Sequence, residues 1–360
     1  MSLKASYCKH TLNFKFDAGT SRGVLKRRDS YFIKLYDKQD TEIYGLGEAS
    51  PLKGLSIDFR EDFEGKLKSV LTDINVAELE LEELFTLIAS EKLENWPALR
   101  FALETAALDL KNGGKRLIYT NDFSLSKSSI DINGLIWMGN KDFMQEQIDL
   151  KLSSGYSTIK MKIGAIDFDT ELMLLSSIRK RYSLHDLTLR VDANGAFSPS
   201  EALTKLEELA KLDIHSIEQP IRQGQVEEMA HLCRKTPVPI ALDEEMIDIQ
   251  GLKKKKELIQ AIQPQFLIFK PTLLGGLAAT KEWIGLCGEN KIDWWITSAL
   301  ESNIGLNAIC QFTAEFDNPL PQGLGTGQLY HNNIPSPLEV NQGNISYMKD
   351  NNWDLSLLNF

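Results

Sequence analysis

After Ile130 the chain alternates between short runs of apolar residues and longer stretches whose apolar positions have helical spacing. The runs are Ile132-Asn-Gly-Leu-Ile-Trp137, Thr158-Ile-Lys-Met-Lys-Ile163, Leu187-Thr-Leu-Arg-Val-Asp192 and Ser216-Ile-Glu-Gln-Pro220. They continue as Pro239-Ile-Ala-Leu-Asp243, Phe266-Leu-Ile-Phe-Lys270 and Trp294-Trp-Ile-Thr-Ser298, with a weaker one near Pro321-Gln-Gly-Leu-Gly325. Strands recurring every ~25 to 30 residues with helices between them predict successive β-α units and a parallel sheet. The clearest helix starts at Ser198-Pro-Ser-Glu201, with a capping residue, a proline in the first turn and Glu three residues after the cap; Leu203, Leu206, Leu209 and Ala210 form its apolar stripe. An open doubly wound sheet and a closed barrel both satisfy the pattern, and about eight strands favour the barrel.

Up to Gly114 the texture differs. Ser30 to Tyr36 reads as a strand and Tyr44 to Pro51 as a glycine-marked turn. Phe63 to Ile74, Ala77 to Ser90 and Trp96 to Asn112 read as helices, stopped at Gly113-Gly114. Strands followed by grouped helices predict an α+β unit. The tail from Leu329 to Phe360 shows no unit of its own and is expected to pack back on the first domain.

Within the strands, alternation separates two faces. Ile159, Met161 and Ile163 oppose Lys160 and Lys162; Leu187, Leu189 and Val191 oppose Arg190, Asp192 and Asn194. Apolar faces must meet the outer helices, so the charges point into the barrel, where they need partners or a metal. Glu218, Asp243 and Lys270 end the following strands, at the barrel end where active sites lie. Three carboxylates, Asp192, Glu218 and Asp243, would repel one another unless a hard cation joined them. All-oxygen ligation suits one Mg²⁺, with Mn²⁺ as the other candidate, and none of the five His residues pairs with another at zinc-ligand spacing. Lys162 and Lys270, four strands apart, would approach the site from opposite sides. A lysine beside a metal and a second lysine should have its ammonium disfavoured, which makes a neutral amine available as a base.

Composition narrows the partners. The 360 residues are 42% hydrophobic and 25% charged, with a net charge of -10, which argues against nucleic acid. Lys253 to Lys256 run together beside Glu257 and read as a solvated helix face. Cys8, Cys233, Cys287 and Cys310 are scattered without a C-x-x-C pair, as expected of unpaired thiols in a reducing compartment. No secretory stretch and no apolar run near the ~20 residues of a membrane span is present, so the cytoplasm is the expected location. Gly323-Leu-Gly-Thr-Gly327 lacks the Lys-Ser or Lys-Thr of a phosphate loop and reads as a turn. The oligomeric state is left open.

At Lys160-Met-Lys162, Val191-Asp-Ala-Asn194, Ile217-Glu-Gln-Pro220, Leu242-Asp-Glu244 and Lys270-Pro271 the sequence resembles the enolase superfamily, in the branch related to muconate-lactonising enzymes. The resemblance covers essentially the whole chain. It implies an α+β capping domain from residues 1–120 with the tail 328–360, and a modified TIM-type barrel of seven regular β-α units over 121–327. It makes Lys162 and Lys270 the acid/base pair, Asp192, Glu218 and Asp243 the Mg²⁺ ligands, and Lys160, Asn194 and Glu244 their supports. The segments Thr20 to Lys26, Gly45 to Pro51, Ser298 to Ser302 and Gly323 to Thr326 lean towards the dehydratases of the branch, which aromatise a hydroxycyclohexadiene carboxylate carrying a succinyl arm. Arg22 and Ser298 are the candidates to hold that second carboxylate. The alternative is an N-acylamino-acid racemase or dipeptide epimerase; Gly325-Thr-Gly327 stands where the epimerases carry an acidic pair. A barrel that binds without catalysis would lack one of the five site groups, and all five are present.

Overall fold

The computed structural model describes residues 2–20 and 23–360. Three antiparallel strands, β1 (Leu3–Thr20), β2 (Gly23–Asp37) and β3 (Asp40–Ala49), open the chain. Helices α1 (Phe63–Ala77), α2 (Leu81–Ala89) and α3 (Pro97–Lys111) cover one face of this sheet. The glycine-marked segment expected as a turn is strand β3. Its glycines admit a helix rather than bend the chain: a Cβ on Gly45 would lie 1.9 Å from Ala106 O, and one on Gly47 1.9 Å from Ala102 O. Helix α3 therefore lies directly on the strand backbone.

A short strand, β4 (Ser129–Asp131), precedes the barrel. The barrel runs β5 (Gly134–Ile136), α4 (Lys141–Ser153), β6 (Thr158–Lys162), α5 (Phe168–Arg181), β7 (Thr188–Asp192), α6 (Pro199–Ala210), β8 (Ser216–Glu218) and α7 (Val226–Lys235). It continues with β9 (Ile240–Leu242), α8 (Leu252–Ile262), β10 (Phe266–Phe269), a single turn α9 (Pro271–Leu274), α10 (Leu277–Asn290), β11 (Asp293–Ile296) and α11 (Asn303–Thr313). Strands β5 to β11 are parallel neighbours in chain order. The eighth position is an irregular segment that closes the wall: Gln322 bridges Ile132 and Gly323 bridges Thr297, both in parallel sense. The fold is thus an α/β TIM-type barrel with an antiparallel capping sheet.

The helix α6 begins as its sequence predicts, with Ser198 N donating to Glu201 Oε1 at 2.9 Å in a reciprocal capping box. Outward residues such as Ile159, Met161, Leu189, Val191, Ile217, Leu267 and Phe269 are buried in one core with the helices. The basic run on α8 departs from expectation. Lys253 and Lys254 are exposed, but Lys255 is buried and bonds Ala279 O (3.0 Å) and Glu282 Oε2 (2.8 Å). The tail also differs, since it carries a hairpin, β12 (Leu338–Asn341) and β13 (Asn344–Tyr347), which pairs with β4. Beyond it Trp353, Leu355 and Leu358 pack on Cys8, Phe32 and Leu46 of the first sheet and on Ile304 of α11. All four cysteines are buried and unpaired. Among the described residues no helix is long and apolar enough to cross a membrane.

Candidate active site

Register alone brings the acidic and basic residues together. Lys162 lies beside Asp192, and Asp192 beside Glu218, across adjacent parallel strands. Their side chains meet inside the barrel. Lys160 Nζ is 2.6 Å from Glu218 Oε2 and 3.4 Å from Asp192 Oδ2; Lys162 Nζ is 2.9 Å from Asp192 Oδ2 and donates to Asn194 Oδ1 at 2.7 Å. Lys270 Nζ bonds Asp243 Oδ2 and lies 3.6 Å from Glu218 Oε1. Asn194 Nδ2 donates to Glu244 Oε1 at 3.1 Å, so Glu244 enters the same network.

The strand ends are held by unusual backbone. Asn194 and Gln219 take left-handed conformations (φ 45° and 40°), which few residues but Asn and Gly adopt readily. The turn at Asn194 lets its own N–H bond Asp192 Oδ1 at 3.0 Å. Gln219 braces two strand ends. Its Oε1 accepts from Asp243 N and Glu245 N (3.3 Å each), while Nε2 donates to Glu245 Oε2 at 3.0 Å.

Electrostatics follow from this packing. Burial pushes the Asp192 carboxyl up, but Lys162, Lys160 and Lys270 outweigh it and hold the group well below the usual range. Glu218 is lowered as well: burial and Asp192 oppose the lysines, and the lysines win. Asp243 goes the other way, because burial together with Glu244 and Glu218 exceeds the pull of Lys270. Burial would weaken the ammoniums of Lys160 and Lys270, yet the surrounding carboxylates raise both above their ordinary value. With no cation among them, the carboxylate charge around Lys270 decides the sign.

The donor set fits a hard divalent cation, being three carboxylates from neighbouring strands. Glu218 Oε1 is buried without a hydrogen-bond partner. Among the described residues no three Asp, Glu, His or Cys side chains stand as a ready metal cage, and the lysine ammoniums balance the carboxylates instead.

Above these charges lies a cavity of about 430 Å³, a volume suited to a small organic ligand. The barrel supplies Lys160, Lys162, Asp192, Asn194 and Lys270; the capping sheet and its loops supply Val24, Leu25, Leu52 and Leu55. Ser298 lines it, its hydroxyl bonded to Thr326 Oγ1. Arg22 lies outside the described residues. Trp137, missed in the sequence, also lines the cavity, its ring centroid 6.0 Å from Lys162 Nζ. The alternation Asn133, Leu135, Trp137 through and just beyond β5 was the signal that could have found it.

The family described as "Enolase C-terminal domain-like" matches residues 144–350. An o-succinylbenzoate synthase of Desulfotalea psychrophila is 46% identical over 95% of this chain and 98% of its own length. The crystal structure of MenC from the same organism superposes with a TM-score of 0.82 at 41% identity, covering 96% of this chain and all of that one. A dipeptide epimerase from Enterococcus faecalis, complexed with Mg and L-Leu-L-Tyr, shares the fold at TM-score 0.81 but only 19% identity, over 98% of each chain.

Proposed function

The chain belongs to the enolase superfamily and, within it, to the o-succinylbenzoate synthases, hydro-lyases of menaquinone biosynthesis, and from that premise we propose how its own side chains carry out the dehydration. The substrate is 2-succinyl-6-hydroxy-2,4-cyclohexadiene-1-carboxylate and the product 2-succinylbenzoate. A divalent cation, Mg²⁺ or Mn²⁺, on Asp192, Glu218 and Asp243 would draw charge onto the ring carboxylate and free the lysines from their carboxylate partners. Lys162 then removes the proton alpha to that carboxylate. The C–H electrons enter the ring as hydroxide leaves the neighbouring carbon, and the Lys162 ammonium returns the proton to it, so water departs and the ring becomes aromatic. Lys270, across the barrel, stays protonated and faces the negative charge that builds on the carboxylate. Lys160, Asn194 and Glu244 hold these groups in place.

The observation that carries this reading is Lys162. It lines the cavity, and Asp192 Oδ2 and Asn194 Oδ1 fix its Nζ at 2.9 and 2.7 Å. We assign residues 1–120 with 328–360 to the capping domain and 121–327 to the catalytic barrel. The unpaired thiols support a cytoplasmic location. The test is formation of 2-succinylbenzoate with Mg²⁺, with the metal chelated, and with Lys162→Ala. A metal-dependent rate that falls at least ~10²-fold in the variant is expected for loss of a proton-transfer group. A wild-type enzyme inert towards the cyclohexadiene would end the proposal.

A further inference from the structure

The cavity extends past the first barrel strand to Lys151, near the end of α4. Gly134 on β5 makes the room: a Cβ there would lie 3.2 Å from Cβ, Cγ and Cδ of Lys151, so the lysine stem lies flat against the strand. The Nζ stands 4.8 Å from the centroid of Tyr156, and burial alone, with no carboxylate among the described residues, shifts its charge balance. Burial pulls this ammonium below its ordinary pKa. Two other lining residues, Asn133 and Thr297, are each 4% exposed, and Asn133 Oδ1 and Thr297 Oγ1 have no hydrogen-bond partner.

A half-buried ammonium without a counter-ion and two unsatisfied polar atoms in one cavity are costly unless a ligand completes them. The substrate carries two carboxylates, and the ring carboxylate is taken at the Lys162 end. Of the other lysines lining the cavity, Lys160, Lys162 and Lys270 are already paired with carboxylates, and Lys53 is exposed. We propose that Lys151 receives the succinyl carboxylate, flanked by the Thr297 hydroxyl and the Asn133 amide. The amide orientation is set by its partners, so its NH₂ can turn to the ligand. This assignment rests on the function proposed above and adds the anchor of its second charged group.

The test is Lys151→Met and Lys151→Arg in the Mg²⁺-loaded enzyme. Steady-state kinetics would be run beside calorimetric binding of 2-succinylbenzoate and of benzoate, which lacks the arm. Loss of a charge-assisted hydrogen bond should raise KM and the Kd for 2-succinylbenzoate about 10- to 100-fold in Lys151→Met. In the same variant kcat and benzoate affinity should hold, showing that fold and metal site survive, and Lys151→Arg should recover most of the loss. Unchanged KM, or an equal loss for benzoate, overturns the assignment alone. A wild-type enzyme that neither forms nor binds 2-succinylbenzoate overturns the functional reading, and this anchor with it.

Discussion

Arg28 offers a direct test of how the cap is joined to the barrel. It is buried on β2, where Nη1 donates to Ala299 O and Nη2 to Ser50 O. One guanidinium thus ties the loop after β3 to the turn after β11. That turn is a demanding one: Leu300 has φ 68°, its carbonyl accepts from Tyr330 OH at 2.6 Å, and Ala299 N donates to Glu301 Oε2 at 2.8 Å. Arg28→Met keeps the bulk and removes both donors. Hydrogen bonds from a charged group contribute ~1.5–3 kcal/mol each, so the pair should account for ~3–6 kcal/mol. With an unfolding entropy near ~2 cal/mol/K per residue, a chain of 360 residues should lose about 5 °C in Tm. Ala299 and Leu300 line the cavity, so KM should rise too. Calorimetry and steady-state kinetics on the Mg²⁺-loaded enzyme read both effects. A Tm within about 1 °C of wild type, with unchanged KM, would refute the clamp.

Two further outcomes are expected. Mg²⁺ should raise the Tm of the wild type, because a ligand bound only to the folded chain stabilises it, and Glu218→Gln should lose most of that shift; equal shifts would remove Glu218 from the ligand set. Burial, aided by Arg190, lowers the His215 pKa to about 4, below the ~6.5 of an unfolded chain. The unfolded state then binds the extra proton first, so stability should fall, on the order of 1–3 kcal/mol, as pH drops from ~6.5 to about 4. His215→Gln should remove this part of the acid sensitivity, so the difference in urea midpoint between variant and wild type should shift in the variant's favour on acidification; parallel curves would contradict it.

The cluster of charges at the strand ends was legible because its signal is local. Strand alternation assigns Lys160, Lys162, Arg190 and Asp192 to the inner face, and parallel register aligns Lys162, Asp192 and Glu218 without further information. Charges whose partners are remote in sequence stayed hidden. Glu48 accepts from Ser302 N and Oγ and from Gly305 N, across more than 250 positions, and within its own strand it looks like a surface carboxylate. Lys151 likewise has the spacing of an exposed helix lysine; only Gly134, on another element, gives its stem room against the strand beside the cavity. The glycines of β3 misled for a related reason, since their purpose is set by α3, more than 50 residues away.

The contact of Trp353, Leu355 and Leu358 with the first sheet bears on how the enzyme matures during synthesis. Strands β1 to β3 leave the ribosome early, yet Cys8, Phe32 and Leu46 gain their last cover only when the far end of the sequence emerges. The barrel can close on itself before then, since its strands pair in chain order. During synthesis the cap sheet is therefore left with part of its apolar face uncovered for longer than any barrel strand waits for its neighbour.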